Sequence, residues 1–280
     1  MITLMIKTHE VWLETLIAGC MSQGENKLVL FDFADILFRH FTWLEEELIE
    51  LGESYTYDRD PIPVKVGRLR DLLHDIINRL NEIDLQLLSS PDKELNKRIS
   101  SDIRYMCDVL MRMEDEAVAA FDMKREYLGI NLSAEARDAL TLFLFEESYK
   151  EYELIMIYNY LKIHTDDAYL VRIFQTLIEE SLFHFKRFGD MMAKMGILAV
   201  PRVVMPELYQ IDDITPFLKK AIEEEIAAKD ECVRLAEAVA KESPELAKFF
   251  DFINNQESYH VTLMQKALEH IKKGNYGKKR

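Results

Sequence analysis

The sequence predicts an all-α protein made of two tandem four-helix bundles, over residues 1–130 and 131–280. Three observations carry that expectation. Only 9 glycines and 7 prolines occur in 280 residues, too few to punctuate the many short strands of a β fold. Apolar residues recur at helical spacing through long stretches. The two halves of the chain also repeat a common set of landmarks.

Eight helices follow from the periodicity, at roughly 5–22, 27–52, 62–89, 92–124, 135–163, 167–195, 214–241 and 244–273. The breaks between them carry turn and cap chemistry: Ser22-Gln23-Gly24, Gly52 with its Pro-containing loop, and Ser89-Ser90-Pro91-Asp92. In the second half come Asn131-Leu132-Ser133 ahead of Glu135, then Gly196, then Ser243-Pro244-Glu245. The halves join near residues 126–134, and the basic stretch from Lys272 to Arg280 reads as a solvated tail.

The repeat is specific in its order. His40 is followed by Gly52, Arg59 and Pro63, and His184 by Gly196, Arg202 and Pro206. Leu37-Phe38-Arg39-His40-Phe41 lies against Ser181-Leu182-Phe183-His184-Phe185, and Pro91 matches Pro244. A helix, its terminating glycine and the same loop pattern together indicate duplication.

The second half places charge where apolar residues are expected. On its last helix Leu246, Phe249, Phe250, Ile253, Val261, Met264, Ala267, Leu268 and Ile271 form one face, and Glu257 and His260 fall in the middle of it. Glu147 and Glu151 share the apolar face of the fifth helix, Ser181 and His184 that of the sixth with Glu180 at its edge, and Glu225 that of the seventh. Buried carboxylates and imidazoles are costly unless paired, and a metal ion is one partner that accepts both. The alternative is a polar core of Glu and His paired among themselves.

The first half lacks this set. Leu37 stands opposite Ser181, Arg104 and Cys107 stand opposite Glu257 and His260, and the third helix carries no inward carboxylate. The first helix is expected to be too short to supply a counterpart of Glu147. His40, with Trp43 and Glu47, reads as a boundary between surface and core, and Arg59 as an arginine held by neighbouring aspartates.

Glu257-Ser258-Tyr259-His260, with Glu225, His184 and Glu147, resembles the ferritin-like superfamily in its rubrerythrin-like form. The resemblance covers residues 135–273 directly and the first half through the repeat. It implies one or two iron or manganese ions held by Glu147, Glu180, His184, Glu225, Glu257 and His260, with Glu151 as a further ligand or supporting group. It also implies redox chemistry with dioxygen or peroxide, with Tyr152 or Tyr158 tuning the site. The pattern is broken at one place, because Ser181 occupies the slot where a shared glutamate is expected. Glu180 is the candidate substitute.

Composition bounds the remaining readings. A net charge of −15 disfavours nucleic acid and anionic membranes as partners. Cys20, Cys107 and Cys232 form no C-x-x-C pair, so iron–sulfur and rubredoxin-like centres are not indicated and an electron donor would be a separate protein. With no signal peptide and no membrane-spanning apolar run, a cytoplasmic protein is expected, and a homodimer is one candidate assembly. Against the metalloprotein stands a non-enzymatic helical scaffold that has lost its metal, which Ser181 and the emptied first half favour.

Overall fold

A computed structural model describes residues 1–64, 67–89, 93–118, 129–198, 200–211 and 213–274. Among them the chain is mostly helical, with one two-stranded ribbon, which bears out the all-α class. No helix of the described residues is long and apolar enough to cross a membrane. The chain divides into two compact units, Met1–Asp122 with Gly196–Val203, and Met123–Met195 with Val204–Arg280.

In the first unit α1 (Ile2–Met21) packs along α2 (Gly24–Glu50), and α3 (Leu69–Leu87) packs on α1 and α4 (Glu94–Leu110). Its core includes Trp12, Leu16, Phe41, Leu44, Leu73, Ile76 and Ile103. α2 ends where Gly52 takes φ 71°, and the amide of Glu53 turns back to the Leu48 carbonyl at 2.9 Å. This left-handed residue is one that glycine adopts without strain. Gly196 takes φ 70° just past the sixth helix, so the glycines matched by the repeat share one conformation.

Two predicted boundaries shift. Residues 62–68 are not helical where described, and β1 (Gly67–Arg68) pairs antiparallel with β2 (Ala117–Val118) before α3 begins. The fourth helix stops at Leu110 instead of running to residue 124. Acidic residues beyond it serve elsewhere: Asp115 accepts the Arg70 amide at 3.1 Å in the first turn of α3, and Glu116 accepts the Gln23 amide at 3.1 Å ahead of α2. Helix-start amides lack partners within their own helix, so these contacts hold 114–118 extended. Pro91, residues 119–128 and the tail from Asn275 lie outside the described residues.

Charge is buried in the first unit as well. Glu10 and Glu14 lie on α1, 8% and 1% exposed, and Arg79 of α3 reaches both at 3.0 and 3.1 Å. α1 therefore brings carboxylates inward, though not at the position matching Glu147, which by the spacing of His40 and His184 falls at Thr3. His40 is fully buried, with Nε2 2.9 Å from Asp102, instead of marking a boundary. The Arg59 guanidinium donates to the carbonyls of Asp60, Pro201 and Arg202, so it reaches beyond its neighbouring residues.

The second unit holds α5 (Ala134–Ile163), α6 (Ala168–Lys194), the short α7 (Pro206–Tyr209), α8 (Ile214–Val239) and α9 (Pro244–Lys272). α5 packs on α6 and α8, and α9 on α8 and α6, so the four long helices enclose one core. Each long helix starts on a side-chain cap: Ser133, Asp167, Asp213 and Ser243 accept amides of the first turn. Asp167 also accepts from His270 Nε2 at 2.6 Å, tying the last turn of α9 to the first of α6. Leu140, Leu144, Phe174, Leu177, Phe185, Phe250, Ile253 and Met264 fill the interior.

Candidate metal centre

The inward register expected from periodicity is realised on all four long helices of the second unit. Glu151 of α5, Ser181 and His184 of α6, Glu225 of α8, and Glu257 and His260 of α9 are each 5% exposed or less. The i, i+3 spacing of Glu257 and His260 puts both on one side of α9, one turn apart.

One carboxylate lies between the two imidazoles. Glu257 Oε1 is 3.2 Å from His184 Nδ1, and its Oε2 is 3.0 Å from His260 Nδ1. Glu151 Oε1 approaches the same His184 nitrogen at 2.8 Å, and Glu225 Oε1 stands 3.7 Å from His260 Nδ1. Two three-donor groups result, Glu151 with His184 and Glu257, and Glu225 with Glu257 and His260, each with its ligand atoms within 4.8 Å of one another. The imidazole centroids are 5.9 Å apart.

The outer nitrogens are held crosswise. His260 Nε2 lies 2.7 Å from Glu180 Oε2 on α6, and His184 Nε2 lies 3.1 Å from Gln256 Oε1 on α9. Glu180 stands four residues before His184, and Gln256 four before His260, so each helix supports the histidine of the other. An Nε2–H fixed outward leaves Nδ1 facing the shared carboxylate.

Without a metal these groups neutralise one another through protons. Burial opposes charge on His184, but Glu151 and Glu257 outweigh it and raise its pKa to about 10. His260 is raised in the same way, with Glu180, Glu225 and Glu257 overcoming burial. Burial also acts against Glu257, yet hydrogen bonds with Glu225, His184 and His260 keep it ionised below the usual carboxylate range. Glu225, raised by burial and by the charge of Glu257, is the member of that pair that holds the proton. Glu147 is lifted to about 7 by burial, against the pull of Lys150.

Of the residues singled out in the sequence, His184, Glu225, Glu257 and His260 enter the two groups. Glu147 and Glu180 do not: Glu147 Oε1 lies 3.5 Å from Lys150 Nζ, and Glu180 sits behind His260. Glu151 fills the α5 position. Its second oxygen is buried with no hydrogen-bond partner, which fits a site whose acceptors await a cation. Ser181 is 1% exposed beside these groups. Gln256 is the residue missed, and the signal available was its register, which matches that of Glu180. No group of this kind occurs among the described residues of the first unit.

Compared with known proteins, the chain matches no family model, no curated protein and no solved structure.

Proposed function

We propose that this chain is a ferritin-like metalloprotein of two tandem four-helix bundles, binding iron or manganese in the second. The observation that carries the reading is Glu257, whose two oxygens reach two buried imidazoles and which belongs to both three-donor groups. Carboxylate oxygens with imidazole nitrogens are the donor set that suits these metals, and a carboxylate between two such groups suits a pair of ions. Glu151, His184, Glu225, Glu257 and His260 would hold the metal, with Glu180 and Gln256 orienting the two rings. Iron or manganese bound there would supply one-electron redox chemistry toward dioxygen or peroxide.

The chain's own part is definite in chemical terms. Filling both groups would displace the protons of the two histidines and the one shared by Glu225 and Glu257, so uptake would release protons and strengthen with pH. Phe185, Phe188 and Phe250 are buried beside the ligand helices and keep the interior apolar. Electrons for turnover would come from a separate donor protein.

A second reading, a scaffold without metal, is favoured by one observation: both nitrogens of His184 and of His260 already have partners. Elemental analysis of the full chain purified without chelator separates the readings. Iron or manganese in the parent, and its loss in a folded His260→Ala variant, supports the metalloprotein. No metal after incubation with Fe(II) or Mn(II) under argon selects the scaffold.

A further inference from the structure

We infer that the two three-donor groups are an unequal pair, in which the His260 group takes the first ion because Glu180 backs its imidazole, while Gln256 backs that of His184. The inference rests on the metal-binding reading above and deepens it. In number and kind the inner donors are matched, since each group has one private carboxylate, one imidazole and the shared Glu257.

The difference lies one bond further out. His260 Nε2 donates to a carboxylate at 2.7 Å, whereas His184 Nε2 donates to a neutral amide oxygen at 3.1 Å. A hydrogen bond to an ionised acceptor is shorter and about twice as strong as a neutral one. It draws the Nε2 proton away and leaves more electron density on Nδ1, which makes that nitrogen the better donor. Glu180 also adds a negative charge near the ion, reduced because its side chain is 25% exposed.

Other charges facing the centre do not cancel this. Lys150 opposes a cation, but its ammonium pairs with Glu147, which belongs to neither group.

Removal of an outer partner of a ligating histidine changes metal affinity about 10–100-fold. The test is calorimetric titration of the metal-stripped full chain with manganous chloride alone, for the parent, Glu180→Gln and Gln256→Glu, with circular dichroism of each. Two binding steps about 10–100-fold apart are expected in the parent. Glu180→Gln should weaken the tighter step and leave the weaker one, and Gln256→Glu should tighten the weaker one. A gain in affinity cannot come from a damaged fold, so the second variant keeps the result interpretable if the first is unstable. His260→Ala should remove the tight step, and His184→Ala the weak one. Two equal steps in the parent, or Gln256→Glu without effect on the weak step, overturns the inference and leaves the metal site standing. No uptake by the parent overturns both.

Discussion

Replacing Glu257 by Gln tests the centre with the least change of shape. The amide keeps the volume of the carboxylate but removes the charge now set between His184 Nδ1 at 3.2 Å and His260 Nδ1 at 3.0 Å. Breaking a buried pair by removing one partner costs about 3–5 kcal/mol when the other charge is left alone. Here His184 keeps Glu151 and His260 keeps Glu180, so the metal-free variant should lose less, about 1–3 kcal/mol. The larger effect concerns the metal, because both three-donor groups lose a member at once. A ligand at 100 times its Kd stabilises by about 2.7 kcal/mol, on the order of 5–10 °C in thermal midpoint. Thermal melts with and without Mn(II), beside elemental analysis, should give that upward shift in the parent and none in Glu257→Gln. An equal shift in both proteins would refute the shared role of Glu257.

Ser181→Glu should raise metal affinity in loaded protein and lower the thermal midpoint of stripped protein, since Glu180 is engaged on His260 and the new carboxylate would be buried without a partner; unchanged metal content and midpoint would remove Ser181 from the site. The metal-free parent should lose stability between about pH 6.5 and 10: the pKa of His184 is raised to about 10 in the fold, so its contribution is complete below the ordinary 6.5 and gone above 10. Denaturant titrations against pH should show that decline reduced in His184→Asn. In the first unit, Arg79→Met leaves Glu10 and Glu14 without their guanidinium and should cost about 1–3 kcal/mol, discounted because Arg79 is partly exposed; a variant as stable as the parent would make the contact incidental.

Much of this was legible in the sequence because helices report their buried face through periodicity. The inward register of His184, Glu225, Glu257 and His260 needed nothing beyond that. Glu147 and Glu151 show its limit: one turn apart on one face, they are equivalent to a periodicity argument, and only distance picks out Glu151. Gln256 carries no charge and so drew no notice, although its position relative to His260 repeats that of Glu180 to His184. The end of α4 was unreadable for a different reason. Residues 114–118 have helical composition, but Asp115 and Glu116 are drawn to amides ahead of α3 and α2, far away in sequence.

The bond between Asp167 and His270 bears on how the centre keeps its shape. α6 and α9 contribute His184 and His260, and the reciprocal pairing of Glu180 and Gln256 works at one axial alignment of these helices only. Sliding one past the other by a single residue is a displacement of about 1.5 Å, enough to break the 2.6 Å contact between His270 and Asp167. That contact lies at the ends of the helices, away from His184 and His260, and Asp167 is already committed there as the cap of α6. Longitudinal slip is therefore resisted at a distance, and the four polar partners at the middle meet at an alignment that the helix ends already set.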